Sequence, residues 1–205
     1  MRRVRIHTQT LTEHLALLSA ESPTIDLRAN AYGLGIEKSS TIARDAGFRA
    51  AVVSPDSSEG CVLSLAEMSP TTVTQWWDNT ALLSFEADII SLKRVGGNTP
   101  VSYGYDYTTT AETTLALVGA GFSDGVPRTA SPGAKMSVHG ETFPIAGRIA
   151  MDQCVLDVGD AALNVGDTAT IWGANPSLVE WAAWSSRPTG ALMSHLAPRV
   201  DRQWS

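Results

Sequence analysis

The sequence predicts an α+β protein in which a short α/β segment precedes an antiparallel β domain. From residue 81 onward, apolar residues recur with a period of two in short runs that are separated by glycine-containing turns. That pattern is typical of an antiparallel β barrel or sandwich. Within the first 60 residues a strand, a helix and a second strand follow one another, which indicates an incomplete parallel βαβ unit.

The smaller unit is predicted to cover residues 1–78. Leu11, Leu15 and Leu18 have helical spacing, and Gly33 and Gly35 allow a tight turn after the first inner strand. The predicted elements are a helix over residues 11–18, a strand over 24–27, a helix over 37–46, a strand over 50–53 and a second helix over 61–68. An aromatic pair at residues 76–77 is interpreted as core or interface packing.

The larger unit is predicted to cover residues 79–205. Its strands are expected over residues 82–92, 114–118, 135–138, 143–149, 154–158 and 168–172. A capped amphipathic helix is predicted over residues 177–185, and a last extended segment over residues 196–200.

Composition excludes several classes of function. The 205 residues are 43% hydrophobic and 18% charged, which is enough apolar material for a core. A net charge of -6 argues against nucleic-acid binding, and no run approaches the roughly 20 apolar residues of a membrane span. Cys61 and Cys154 are too few for a disulfide framework or a metal site, so we expect a cytoplasmic protein without a metal.

Five motifs in order point to a known family. They are RANAYGLG at residues 28–35, VSYG at 101–104, GFSDGVPR at 121–128, PIAGRIAMDQ at 144–153 and LAPRV at 196–200. The first resembles the KANAYGHG segment of alanine racemases, enzymes that use pyridoxal phosphate (PLP), and the other four resemble the C-terminal β domain of that family. The resemblance covers about the first 60 residues and nearly all of residues 80–205.

The resemblance implies that the N-terminal unit is the remnant of a TIM-type PLP barrel. A complete (β/α)₈ barrel takes about 250 residues, whereas fewer than 80 precede the β domain here. Residues 68–79 stand where strands three to eight of the barrel would be. We therefore expect a truncated barrel of two strands, which lacks most of the family's cofactor contacts.

On the cofactor side, the resemblance assigns Arg28, Tyr32 and His195. Arg28 stands where the family has the lysine that forms the Schiff base with PLP and serves as one of two catalytic bases. A guanidinium, which titrates above about 12, does not supply the uncharged amine that imine formation needs. Tyr32 matches a tyrosine that binds the cofactor phosphate, and His195 falls near another such tyrosine. Lys38 is the nearest lysine, but it lies on the predicted helix.

On the substrate side, the resemblance assigns four residues of the β domain. Tyr103 corresponds to the family's second catalytic base, a tyrosine that reaches into the barrel of the partner subunit. Met151 and Asp152 match a loop that approaches the substrate carboxylate. Phe122 replaces a tyrosine of the inner gate, which removes a hydroxyl and keeps the ring.

Three functions remain open at this point. The favoured one is a degenerate alanine racemase family member that is catalytically impaired on its own, as a homo-oligomer. A second is an interaction partner that docks on a full-length racemase as a heteromer and supplies Tyr103 in trans. The third is an active PLP-dependent racemase that acts on the small amino acid alanine.

Overall fold

Over residues 1–77 and 82–205, which a computed structural model describes, the chain forms three β-sheets, five α-helical segments and four short 3-10 helices. The first part contains β1 (Arg2–Ile6), α1 (Thr8–Ser19), β2 (Thr24–Asp26), α2 (Arg28–Tyr32), α3 (Ile36–Asp45), β3 (Ala50–Val52) and β4 (Ser64–Leu65). The predicted domain boundary between residues 78 and 79 lies outside the described residues.

The second part contains most of the strands. They are β5 (Leu83–Val95), β6 (Pro100–Val101), β7 (Tyr107–Thr108), β8 (Thr113–Val118), β9 (Lys135–Val138), β10 (Glu141–Pro144), β11 (Cys154–Gly159), β12 (Thr168–Trp172) and β13 (Asp201–Trp204). The helices α4 (Leu178–Ser185) and α5 (Thr189–Ser194) lie between β12 and β13.

A small parallel sheet carries the predicted βαβ unit. Ile25 of β2 pairs with Ala51 of β3, and α3 connects these two strands. On its other side Ile25 forms a bridge with Val73, again in parallel orientation. The βαβ prediction is therefore confirmed.

The predicted helix over residues 61–68 is wrong. This stretch contains β4, which pairs in parallel with β3 and extends the small sheet by one strand. A short apolar run fits either a helix or a buried strand, so its periodicity alone does not distinguish them. The parallel sheet consequently has three strands and one bridge instead of the two strands expected.

The larger sheet is organised around β5. Residues 83–87 of this strand pair with β1 and residues 85–88 with β12, both antiparallel. From Ile89 to Val95 the strand pairs with β8, also antiparallel, and the register of that pairing shifts between Ile89 and Ser91. This bulge lets one strand join two parts of the sheet, because a bulge bends a strand and increases its twist.

β1 belongs to the larger sheet although it is the first element of the chain. It pairs antiparallel with β5 and parallel with β13. The buried Arg3 donates to Glu86 at 3.0 Å and to Asp88 at 2.9 Å, and Arg5 donates to Glu86 at 2.7 Å. The basic character of the N-terminus is therefore matched by the acidic side chains of β5.

The helical segments near the C-terminus were predicted in part. The helix predicted over residues 177–185 is α4, and Ser177 and Glu180 form a capping box at its start. The extended segment predicted over residues 196–200 is wrong, because these residues form turns between α5 and β13. The six residues of α5 are too few for a clear helical period.

The tryptophan pair is packed in the core, as predicted. Trp76 is 1% exposed and donates from Nε1 to the main-chain oxygen of Asp26 at 2.8 Å. Trp77 packs against Tyr32 with 3.9 Å between ring centroids.

Both cysteines are free. Among the described residues, none of the helices is long and apolar enough to cross a membrane.

Two neighbouring isoleucines of β5 test whether its alternation defines the core. Ile89 is 1% exposed and Ile90 is 46% exposed. We expect Ile89→Ala to lower the free energy of unfolding by about 2–5 kcal/mol, because it leaves a cavity. The matched Ile90→Ala should change it by about 0.5 kcal/mol or less. Urea unfolding followed by tryptophan fluorescence measures both, and equal losses would contradict this assignment of the core face.

Candidate functional site

The segment α2 is a left-handed turn, and it begins the RANAYGLG motif. The φ angles of Ala29, Asn30 and Ala31 are 52°, 55° and 53°, and that of Tyr32 is 54°. Such residues cost roughly 1–2 kcal/mol each, so the surrounding structure must hold them in place. Backbone strain of this kind concentrates at functional sites, which makes the turn a candidate.

Two serine side chains from the segment that follows β3 hold the left-handed turn. The Ser54 hydroxyl accepts from the Ala29 N–H at 2.9 Å, and the Ser57 hydroxyl accepts from the Asn30 N–H at 3.2 Å. The side-chain oxygen of Asn30 accepts from the Ile36 N–H at 2.8 Å, which joins the turn to the start of α3.

Arg202 of β13 fastens the end of the turn. Its guanidinium donates to the carbonyl of Gly33 at 2.9 Å, and its other bonds go to carbonyls of residues 196, 197 and 200. Burial lowers the pKa of Arg202. Gly33 has a φ of +84°, and a Cβ there would lie 2.8 Å from the Met193 oxygen, so only glycine fits. The C-terminal strand thus fixes the N-terminal turn.

Asp26 brings together Arg28 and Tyr32, two of the predicted site residues. Its side chain is fully buried at the end of β2. Arg28 donates to it from Nε at 3.0 Å and from Nη2 at 2.9 Å, and the Tyr32 hydroxyl donates at 2.5 Å. Burial raises the pKa of Asp26, but the hydrogen bonds from Arg28 and Tyr32 outweigh it and hold that pKa below its usual value. Burial and the bond to Asp26 raise the pKa of Tyr32 to about 12.

Tyr103 lies on a different part of the molecule, in the connection between β6 and β7. Its side chain is 75% exposed. The preceding Ser102 has a φ of 65°, and its hydroxyl donates to the Arg148 carbonyl at 2.7 Å. That bond ties the Tyr103 segment to the PIAGRIAMDQ motif.

A cleft of about 460 Å³ lies beside Tyr103. Phe122, Met151 and Asp152 line it together with residues 148–150, Arg128 and Gln153. Four of the seven predicted site residues therefore meet in one cleft, although three separate motifs contribute them.

Two arginines of the cleft were not predicted as site residues. The Arg128 guanidinium lies 5.7 Å from the centre of the Phe122 ring and has no carboxylate partner in the described part of the chain. Arg148 pairs with Asp106. Both belong to motifs already noted, and their positive charge within those motifs was the signal that could have identified them. The cleft thus combines a phenol, two cations and the Asp152 carboxylate, and its arginines are groups suited to binding a small anion.

The buried carboxylate of Asp124 holds the walls of the cleft. It accepts from Arg2 and from Arg199, each at 2.7 Å, and from the Gly121 N–H at 2.9 Å. Arg199 also donates to Asp152 at 2.5 Å and holds the pKa of that exposed carboxyl below its usual value. A Cβ on Gly121 would lie 2.3 Å from the Ala150 oxygen, so the two loops approach closely only with glycine.

Comparison with known proteins decides the family. Residues 82–204 match the family model described as "Alanine racemase, C-terminal domain", which is more than half of the chain. The chain belongs to the alanine racemase family. The sequence recognition of this family and of its α+β fold is thereby confirmed.

Curated alanine racemases are similar to part of this chain. The protein from Frankia casuarinae is 41% identical over 116 residues, which are 55% of this chain and 30% of that protein. The protein from Thermobifida fusca is 37% identical over 127 residues, which are 60% of this chain and 34% of that protein. The chain thus spans about a third of the length of the curated relatives it matches.

Solved alanine racemases share the fold. The structure from Streptomyces coelicolor has a TM-score of 0.88 at 17% identity and covers 99% of this chain and 97% of that chain. The structure from Bartonella henselae, which has covalently bound pyridoxal phosphate, has a TM-score of 0.84 at 14% identity and covers 100% of this chain and 99% of that chain.

The residues on the cofactor side do not fit a PLP attached through an imine. The side chain at position 28 is a guanidinium in a two-point ion pair with Asp26. The Tyr32 hydroxyl also faces that carboxylate, which would repel a phosphate group. Lys38 points elsewhere, with its ammonium 5.1 Å from the centre of the Trp204 ring.

The two groups of predicted site residues lie apart within one chain. Arg28 and Tyr32 meet at Asp26, and neither lines the Tyr103 cleft. His195 is exposed at the end of α5, where its Nδ1 lies 2.7 Å from the Ala191 oxygen, and it belongs to neither group. The predicted roles of these residues in binding and catalysis stay predictions.

Asp124 offers a test of what holds the cleft together. We expect Asp124→Asn to lower the free energy of unfolding by about 1–3 kcal/mol, because two guanidinium groups lose their shared buried partner. The matched Asp152→Asn removes an exposed partner of Arg199 and should cost about 1 kcal/mol or less. Chemical denaturation of the three proteins measures both effects, and an equal loss from the two variants would count against Asp124 as the main support.

Proposed function

We propose that this chain is a degenerate alanine racemase family protein that does not interconvert L- and D-alanine on its own. One observation carries the proposal. At the position where the family resemblance expects the PLP lysine, Arg28 is bound at two points by the buried Asp26. A guanidinium stays charged at any pH at which the protein is folded, so it neither forms the imine nor serves as the base on that face.

The location of Tyr103 supports the same proposal. Racemisation by two bases needs one group on each face of the substrate, and both must reach one bound molecule. Tyr103 is exposed in a cleft that Arg28 does not line. A single chain therefore presents one candidate base without a counterpart beside it, and a second copy of this chain would again supply an arginine at position 28.

The proposal predicts no racemisation by the purified chain. With PLP and L-alanine supplied, no D-alanine should accumulate, and no borohydride-sensitive visible absorption band should form beyond that of PLP attached non-specifically to Lys38, Lys93 and Lys135, because residue 28 has no amine. A full-length alanine racemase treated in the same way is the positive control. D-alanine formed at a rate that follows the concentration of this chain would overturn the proposal in favour of an active racemase.

A second candidate function is docking on a full-length alanine racemase, which would receive Tyr103 in trans. The exposed side chains around the Tyr103 cleft favour this docking function. Tyr103, Tyr105 and Met151 are 75%, 70% and 57% exposed, and Arg128 lines the same cleft as Tyr103 and Met151. Exposed tyrosine, methionine and arginine are enriched at the centres of protein interfaces.

This candidate predicts a heteromer that light scattering can detect. Mixing the chain with a full-length racemase should give a mass equal to one copy of each, and Tyr103→Ala should weaken the complex by about tenfold or more if Tyr103 is a central contact. Val179→Ala, at a residue 55% exposed on α4 and away from the cleft, is the matched control. Absence of the mixed species at micromolar concentrations would rule out this function.

A further inference from the structure

Main-chain hydrogen bonds hold the Asp26 carboxylate beside residue 28, and these bonds do not depend on which side chain residue 28 carries. The Arg28 main-chain N–H donates to Asp26 Oδ1 at 3.1 Å, in addition to the two guanidinium bonds. The main chain of Asp26 is fixed as well, because its N–H donates to the Val73 carbonyl at 2.8 Å and its own carbonyl accepts from Trp76. A substitution at position 28 therefore leaves the carboxylate where it is.

The carboxylate has no route to solvent that would relieve this arrangement. Its side chain is 0% exposed, whereas that of Arg28 is 49% exposed. Tyr32 donates to Oδ2, the same oxygen that accepts from Arg28 Nη2. A buried carboxylate needs a cation and hydrogen-bond donors, so whichever cation stands at position 28 is drawn into this pair.

We propose that Asp26 is a second block to cofactor attachment, independent of Arg28, because it would hold a lysine at position 28 as a paired ammonium ion. The inference rests on the proposed function, since it explains why restoring the family's lysine would not restore the site.

The chemistry of imine formation explains why a paired ammonium ion at position 28 would not attach PLP. The lone pair of an uncharged amine attacks the aldehyde carbon, the C–N bond forms, and the carbonyl oxygen leaves as water with the two amine hydrogens. An ammonium ion has no lone pair for the first step. An opposite charge within about 4–6 Å favours the charged form and moves a pKa by roughly 1–3, which cuts the uncharged fraction about tenfold or more.

Asp26 also accepts a hydrogen bond from Tyr32, the second residue predicted to contact the cofactor. The Tyr32 hydroxyl gives its hydrogen to Asp26 and so has none left for a phosphate oxygen. The ring is held in place by Trp77, at 3.9 Å between centroids, so the hydroxyl does not swing away. One carboxylate thus occupies two of the three groups that the family resemblance assigns to the cofactor side.

Borohydride trapping followed by peptide mass mapping tests the inference without any activity measurement. The chain has three lysines, Lys38, Lys93 and Lys135, which serve as internal references for non-specific labelling by PLP. With subsaturating PLP, we expect Arg28→Lys to label at residue 28 no faster than the reference lysines. Adding Asp26→Asn to that variant should raise labelling at residue 28 by about tenfold or more.

A matched pair of variants controls for a general effect of removing a carboxylate. Arg44 and Asp45 form an exposed pair at 2.8 Å, with side chains 51% and 57% exposed. Arg44→Lys with and without Asp45→Asn should label at similar rates, because water screens an exposed pair. Circular dichroism and thermal unfolding of each variant establish that it is folded.

The outcomes separate this inference from the proposed function. Equal labelling at residue 28 with and without Asp26→Asn would overturn the inference and leave the proposed function standing. Racemisation by the unsubstituted chain would overturn the proposed function instead. If the double variant does not fold, the folded Arg28→Lys protein decides alone, since labelling at residue 28 faster than at Lys93 and Lys135 contradicts a paired ammonium.

Discussion

The pairing of β5 with three neighbours is the constraint on which the rest of the structure depends. One strand of 13 residues joins β1, β12 and β8, and the bulge at Ile90 lets it turn from one set of partners to the other. Its buried residues alternate up to Ile89, so the same strand supplies both hydrogen bonds and core. Because β1 and β13 lie on one side of it, both ends of the described chain are built into this sheet.

Two buried carboxylates organise the polar parts of the molecule in the same way. Asp124 gathers Arg2 and Arg199 and thereby supports the loops of the Tyr103 cleft. Asp26 gathers Arg28 and Tyr32 and thereby closes the left-handed turn. In each case a desolvated charge is compensated by guanidinium groups and hydrogen-bond donors, as burial of a carboxylate requires.

In this member of the alanine racemase family, the Tyr103 cleft and the turn at Asp26 are separate, and their charged groups face different partners. The cleft keeps a tyrosine, two arginines and a backbone loop in one place, whereas the turn has its cation and its hydroxyl directed at Asp26. The parallel sheet that carries the turn has β4 at one end of its strand order and a single bridge at Val73 on the other side of β2. An open parallel sheet of this size contrasts with the closed barrel of eight strands, in which residues from several strand ends converge on one site.

The sequence by itself determined the family, the βαβ unit, the β-rich second part, α4 and the arginine at position 28. These features depend on local periodicity, on turn residues and on the identity of single side chains. Only the tertiary structure decided that residues 61–68 contain a strand, that β1 joins the larger sheet, and that Asp26 controls both Arg28 and Tyr32. Short apolar runs fit either period, and pairing between strands that are about 80 to 200 residues apart leaves no local signal. The pairing of Asp26 with Arg28 and Tyr32 was not predictable for a related reason, because the burial and the direction of a carboxylate are set by the packing around it.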